Sequence, residues 1–305
     1  MNKPKVSVIV LSFNTKDITD KCLENLLLAK AEAERKKIGA EVIVLDNASS
    51  DGSAQMIRDK YPGIKLVVSK ENTGFAKGNN MAMEKAAGDY FLLINSDVFV
   101  KKDTLARAVN YFEKHPDCDV LGCGLTYPDG SFQPGGGELP APGNVATWLL
   151  GIELLPLAYK IVSPIHPKNI RYFAKDREVG WVTGAFMMLK REVYEKTKGF
   201  DEAFFMYTEE VEWSQRIKKA GFKIFYTPDF SVTHIGKASS KFVETTPLVK
   251  EMIGMKLFFK KHYPGHLGFL SILIWTSSLL RFLAFTLLGK KQKAAAYWKI
   301  ITRHE

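Results

Sequence analysis

Residues 6–11 read VSVIVL, a run without charge in which Val6, Val8, Ile9 and Val10 are β-branched. So short and uniformly apolar a run predicts a β-strand covered on both faces. Outward from it, Ser12-Phe13-Asn14 ends the strand, and helical spacing continues to about Arg35 with Asp17 and Thr19 near its start. Residues 41–45 repeat the buried-strand pattern and end in the polar loop Asp46-Asn47-Ala48-Ser49-Ser50-Asp51-Gly52-Ser53. After a helix, residues 64–68 form a third strand, and Glu71-Asn72-Thr73-Gly74-Phe75 opens another helix through Asn79 and Asn80. A fourth run, YFLLI at 90–94, breaks at Asn95-Ser96-Asp97. Strands alternating with helices predict an α/β fold: a doubly wound, mostly parallel sheet flanked by helices. Ligands of such sheets bind at the C-terminal ends of the strands.

The middle of the chain is less regular. Residues 122–142 are rich in Gly and Pro and read as strand and loop, and 148–165 are apolar with prolines, as in a surface flap or an insertion facing a substrate. Residues 179–189 (VGWVTGAFMML) read as one buried strand, and 209–221 as a helix closed by Gly221. Residues 223–226 form the last strand, with His234 in the loop after it. There are no internal repeats and no low-complexity tract.

Hydrophobic residues make up 46% of the 305 and charged residues 25%, the balance of a folded protein rather than a disordered one. The net charge of +10 is concentrated at one end: from Lys250 onward ten Lys or Arg face only Glu251 and Glu305. The basic character therefore belongs to a tail and is no footprint of nucleic-acid binding. Fifteen of the 22 residues from Leu267 to Leu288 are apolar, only Arg281 is charged, and lysines flank both ends. That predicts a helix embedded in, or lying on, a membrane surface, its lysines toward anionic headgroups; the bland alternative is a helix packed on the globular domain. The chain divides at 249/250 into a globular domain (1–249) and a helical, membrane-associating tail (250–305). Met1 to Lys5 lead straight into the first strand with no secretory signal, so the protein is expected at the cytoplasmic face of the cell membrane. Cys22, Cys118 and Cys123 are too few for a disulfide framework and read as buried thiols.

No G-x-G-x-x-G turn follows the first strand and no G-x-x-x-x-G-K-[ST] occurs, so a nucleotide here is gripped by carboxylates and a metal rather than by a glycine cradle. Asp46 closes a strand where it can accept hydrogen bonds from a base or ribose; Asp51 is better read as a helix N-cap. Asp97, behind a fully apolar strand, can reach Mg²⁺ or Mn²⁺ on a diphosphate. The segment GFDEAFFMYTEEVEWSQR (199–216) sets Glu209, Glu210 and Glu212 at a helix start, where the helix dipole favours negative charge. One of them could serve as general base toward a hydroxyl; Glu212 and Arg216 also have ion-pair spacing.

In order and spacing, VSVIVLSFN, DNASSDGS, ENTGFAKGNN, NSD, WVTGAFM, GFDEAFFMYTEEVEWSQR and His234 resemble the family 2 glycosyltransferases of GT-A fold, especially the bacterial rhamnosyltransferase-like branch. The resemblance covers roughly residues 4–240. It implies a transferase moving a sugar from a nucleotide-sugar donor, dTDP-L-rhamnose first and a UDP-sugar second. The implied acceptor is a saccharide, carried on a polyprenyl diphosphate, in cell-wall or surface polysaccharide synthesis. It implies donor contacts from Asn14, Asp46, Asn72, Gly74, Asn79, Ser96 and Asp97, and acceptor contacts from Trp181, Gly184 and Ala185. It further implies a Mg²⁺ or Mn²⁺ on Asp97 and His234, and Glu210 as base with Glu209 and Glu212 beside it. Two departures stand out: Asn95 replaces the first acid of a strict DxD, and Glu210 stands where the family usually has Asp. A binding protein that kept the fold without activity, and a sugar nucleotidyltransferase, are the rival classes; the second lacks its Gly-rich N-terminal loop here.

Overall fold

Val6, Val8, Ile9 and Val10 have no solvent exposure, because the strand they form is flanked by a strand on each edge and a helix layer on each face. The computed structural model describes residues 4–152, 163–236 and 247–302. Its first half runs β1 (Val6–Ser12), α1 (Lys16–Arg35), β2 (Ala40–Asp46), α2 (Ser53–Lys60), β3 (Lys65–Val68), α3 (Gly74–Met83) and β4 (Tyr90–Asn95). Then come β5 (Val98–Phe99), α4 (Thr104–Lys114), β6 (Val120–Thr126), β7 (Phe132–Gln133), β8 (Gly136–Gly137) and α5 (Pro142–Leu149). The remainder comprises β9 (Arg177–Glu178), β10 (Trp181–Val182), β11 (Phe186–Lys190), α6 (Arg191–Thr197), α7 (Glu209–Lys219), β12 (Ile224–His234), α8 (Pro247–His262), α9 (Leu267–Leu287) and α10 (Lys291–Thr302).

The main sheet has the order β3-β2-β1-β4-β11-β6-β12-β5, with β7 added on β6 and β9 on β12. The first four strands are mutually parallel, β11 lies antiparallel between β4 and β6, and β6 and β12 run parallel. Side chains alternate across each strand. Val6, Val8 and Val10 therefore meet Leu23, Leu26 and Ala29 of α1 and Leu105, Val109 and Phe112 of α4, whereas Ile9 meets the layer holding Met83 of α3 and Trp213 and Ile217 of α7. In register, Ser12 faces Asp46 and Leu11 faces Asn95, so three polar strand ends finish at one edge. Asp51 is not the N-cap expected of it, since Gly52 in the left-handed conformation holds that position of α2; its carboxylate accepts from the backbone N–H of Lys16 at 2.8 Å and of Ser53 at 3.0 Å and so ties the starts of α1 and α2 together.

Three expectations change. The 179–189 run is two strands: β10 pairs with β8 in a separate ladder, and β11 enters the main sheet. Between them Thr183 donates its N–H to Gly135 O at 3.0 Å and the chain turns at Gly184. Periodicity missed the break because both halves are buried. The last strand does not stop at Tyr226. A bulge between Thr227 and Ser231, at Pro228 which has no N–H to give the ladder, carries it on to His234. Finally, the 249/250 boundary falls inside α8, which is built into a third apolar cluster with Val145, Trp181, Phe204 and Val211 of the globular domain. The 148–165 flap lies largely outside the described residues. All three cysteines are buried free thiols, and burial pushes each of them up.

Two close approaches hold α7 in place. Asn80 of α3 pairs with the backbone of Phe200 on both sides, donating to its carbonyl and accepting its N–H, each at 2.9 Å. Gly254 of α8 sits on the turn ahead of α7, where an added Cβ would lie 2.5 Å from Thr208 Oγ1 and 3.0 Å from the Tyr207 carbonyl. Tyr207 and Thr208 are both left-handed, at φ 72° and 73°, a conformation costly to non-glycine residues unless packing imposes it. Asn80→Ala leaves both Phe200 groups unpaired and should cost about 2–3 kcal/mol of unfolding free energy, read from urea denaturation. Gly254→Val should lower the urea midpoint by at least as much, through overpacking against Thr208; an unchanged midpoint would mean that α8 can lift off the turn freely.

Candidate active site

The polar ends of β1, β2 and β4 open into a cleft of about 470 Å³, closed opposite by the residues that begin α7 and by the end of β12. Its floor includes Asn95, Ser96 and Asp97. Asp97 precedes β5, and β5 pairs with the end of β12 in the register Val98 to His234. That register brings His234 Nε2 to 3.3 Å from Asp97 Oδ1 across 137 residues of sequence separation. His234 Nδ1 lies 2.8 Å from Gln133 Oε1, which orients the ring with Nε2 toward the carboxylate.

This donor set fits a hard divalent cation. Adjacent ligands of an octahedral Mg²⁺ lie about 3 Å apart, close to the Asp97–His234 separation, and the remaining positions suit phosphate oxygens and water. The described lining also holds Asp97, Glu209 and Glu210 but no Lys or Arg, so a diphosphate in the cleft would meet carboxylates without a protein cation to offset them. Among the described residues no third His, Cys, Asp or Glu completes a protein-only metal cluster.

Across the cleft, the strained Tyr207-Thr208 turn delivers Glu209 and Glu210 at the first turn of α7. Both line the cleft, and each has one buried carboxylate oxygen, Oε2, with no hydrogen-bond partner. Burial pushes the Glu210 carboxyl up to about 7, against the pull of its own backbone N–H and of His166. Burial raises Glu209 further, and the Glu210 charge beside it adds to the rise. Burial thus holds both adjacent acids above the ordinary carboxylate range. Lys250 of α8 lies 5.1 Å over the Phe205 ring; burial lowers its ammonium, opposed by the Glu209 charge.

Of the anticipated residues, Asn72, Gly74, Ser96, Asp97, Gly184, Ala185, Glu209, Glu210 and His234 line this one cleft. Gly74, at φ 80°, lets the loop approach Phe205, whose carbonyl would lie 2.5 Å from an added Cβ. A Cβ on Gly184 would strike the Phe75 ring at 2.8 Å, so the residue is small to seat that ring. Asp46 is buried at the β2 end beside the cleft; its Oδ1 accepts from Ser49 N–H at 2.9 Å and its Oδ2 has no partner.

Four expected residues point elsewhere. Asn14 spends its side chain on Ser50, accepting from its N–H at 2.8 Å, and so ties two loops together. Asn79 donates to Phe75 O within α3 at 2.9 Å. Trp181 donates its indole N–H to Ile165 O at 3.0 Å and packs in the third apolar cluster, behind the cleft wall. Glu212, roughly half a turn of helix from Glu210, is fully buried in an ion cluster with Arg216 at 2.9 Å, Lys261 at 2.6 Å and His262 at 3.2 Å. It ties α7 to α8, as its spacing to Arg216 had left open. Among the lining residues not anticipated from the sequence, two polar ones make bonds that shape the cleft. Asn47 lay inside the quoted DNASSDGS loop; it accepts from Thr73 N–H at 2.9 Å and donates to Asn72 Oδ1 at 3.0 Å, joining the loops after β2 and β3. Gln133 carried no signal, because its role depends on β7 folding beside β6.

Comparison with known proteins converges on one family. Residues 7–198 match the profile of Glycosyl transferase family 2. An Escherichia coli protein named Rhamnosyltransferase WbbL is 29% identical over 242 residues, 75% of this chain and 83% of its own. A Mycobacterium tuberculosis N-acetylglucosaminyl-diphospho-decaprenol L-rhamnosyltransferase is 25% identical over 233 residues, covering 70% and 71%. Among solved structures, the mannosyltransferase PcManGT of Pyrobaculum calidifontis, in complex with GDP-Man and Mn²⁺, superposes with a TM-score of 0.56 at 18% identity, over 99% of this chain and 84% of its own. TarS of Staphylococcus aureus with UDP-GlcNAc gives 0.55 at 18% identity, over 96% and 79%. The mixed sheet with its helix layers is thus GT-A-like, and the chain belongs to glycosyl transferase family 2.

Proposed function

We propose that the protein is an inverting rhamnosyltransferase that moves L-rhamnose from dTDP-L-rhamnose to a polyprenyl-diphosphate-linked saccharide at the cytoplasmic face of the membrane. The observation that carries the reading is the pair Glu209 and Glu210, each with a buried, unpartnered Oε2, facing Asp97 and His234 across one cleft. The choice of rhamnose and of a lipid-linked acceptor is supported by the two relatives named above.

In this reading Asp46 Oδ2 accepts an N–H of the base, and Asn72, Ser96 and the Gly74 backbone bound the donor. Asp97 and His234 would hold Mg²⁺ or Mn²⁺, which when bound neutralises charge on the nucleoside diphosphate. The acceptor hydroxyl lies over Gly184 and Ala185. Glu210 takes its proton as that oxygen bonds to the anomeric carbon; the bond from that carbon to the diphosphate oxygen breaks, and dTDP departs with the electron pair. One displacement inverts the anomeric centre. Glu210 suits the base because burial sets its carboxyl near 7, where an ionised fraction coexists with proton affinity. Glu209, raised by burial and by the Glu210 charge, lies beside it in the cleft.

Glu210→Gln should preserve donor affinity while reducing kcat by about 10²–10⁴-fold; undiminished turnover would remove Glu210 from the role. Because the base works ionised and its carboxyl is raised, kcat/KM should fall as pH drops below about 7 and level off above it. A limb centred nearer 4.5 would mean that Glu210 is solvated in the working enzyme.

Nucleoside-diphosphate release should be stimulated by a detergent-dispersed polyprenyl-diphosphate saccharide only with dTDP-rhamnose, and be abolished by EDTA. Stimulated release from a UDP-sugar would keep the mechanism and overturn the donor. Donor binding without release across a broad acceptor panel would favour a binding protein.

A further inference from the structure

Helix α9 has two unlike sides. Leu270, Ile274, Ser277 and Ser278, spaced along one stripe, are buried against α5, α8 and α10. Arg281, one turn beyond Ser277, donates to the Ser277 carbonyl at 3.2 Å and so lies on that same packed side. The opposite side presents Phe269, Ile272, Trp275, Leu280, Leu283 and Leu287 to the outside, with Ile272 and Leu280 each 66% and Leu287 89% exposed. No charge interrupts this face, and its hydroxyl at Thr276 bonds back to the Ile272 carbonyl at 2.9 Å. A soluble protein rarely leaves so continuous an apolar surface bare.

The surroundings identify the occupant. Helix α10 folds back along α9, with Tyr297 stacked 5.7 Å from Phe285 and Trp298 5.0 Å from Phe282, and Lys293 lies 5.4 Å over the Phe285 ring. Lys290, Lys291 and Lys293 are exposed at the α9–α10 turn, and no acid occurs between Glu251 and Glu305. An apolar face edged by Tyr, Trp and Lys, without carboxylates, is complementary to a bilayer carrying anionic headgroups. At 21 residues, about 31 Å, the helix is long enough to cross a bilayer. A crossing helix would have to give up its packed stripe against α5 and α8, which belong to the water-facing domain.

We propose that α9 lies in the plane of an anionic membrane leaflet, inserting its Phe269–Leu287 face while its other side stays bound to the catalytic domain. Pro247, the first residue of α8, lines the cleft, and α8 packs on α9, so this docking sets the cleft beside the lipid surface. The inference deepens the reading of a lipid-linked acceptor, but its test needs neither donor nor acceptor.

The full chain is mixed with vesicles of phosphatidylcholine alone, or with roughly one part in three phosphatidylglycerol, and floated. It should bind the anionic vesicles at least about 10-fold more tightly, with a blue shift of Trp emission, and be released by alkaline carbonate. The double variant Ile272→Glu/Leu283→Glu changes only exposed side chains. It should lose vesicle binding at least about 10-fold, while keeping the unfolding midpoint and turnover on a water-soluble acceptor analogue. Binding to neither vesicle, binding unaltered in the double variant, or resistance to carbonate as for a spanning helix would each overturn the proposal. So would a detergent-free dimer that hides this face and ignores lipid. Failure of rhamnosyl transfer with vesicle binding intact would count only against the proposed reaction.

Discussion

Full coverage of β1 on both faces and both edges is the constraint from which the site follows. A strand hydrogen-bonded to parallel neighbours on each side has no freedom of register, since a one-residue slip would send Val6, Val8 and Val10 to the wrong helix layer. The ends of β2 and β4 are therefore fixed level with that of β1, and whatever polar residues follow them share one edge. Ser12, Asp46 and Asn95 meet there because the ladder is in register. The cleft is a by-product of how an apolar sheet must stop.

The second determinant is electrostatic, and it opposes stability. Glu209 and Glu210 are adjacent, and each retains a buried oxygen without a partner, an arrangement that costs free energy once they ionise. The N-terminal end of α7 offsets part of that cost through its dipole and free N–H groups. The rest is carried by rigid supports: the left-handed Tyr207-Thr208 turn, Gly254 pressed against it, and Asn80 pinning Phe200 upstream. Glu212 shows the contrast on the same helix. It too is fully buried, yet Arg216 and Lys261 pair with it and His262 lies 3.2 Å away, so it serves as a tie between α7 and α8. Position around the helix separates the cleft-lining acids from the structural one.

Helix α8 changes how the C-terminal region is understood. It contributes to the third core, closes on the Tyr207-Thr208 turn and carries Lys250 toward Glu209, so the basic region is continuous with the globular domain rather than an appendage to it. Apolar and basic composition described the tail; only packing divides α9 into a bound side and a bare one.

Much was legible in the chain itself. Uniformly apolar runs ending in Asp46 and in Asn95-Ser96-Asp97 determined the alternating strands and the loops at their ends, because local burial leaves a periodic signature that needs no partner to be read. The position of Glu209, Glu210 and Glu212 at a helix start was equally local. What the tertiary structure alone decided depends on pairing between distant segments. The β5–β12 register set His234 against Asp97, β7 placed Gln133 behind it, and the break at Gly184 split one apolar run between two ladders. Likewise the rotation of α7 turned Glu212 away from Glu210, and α3 turned Asn79 inward. Residue type and spacing specify which side chains can do chemistry; which of them converge is set by long-range contacts whose free energy no single segment contains.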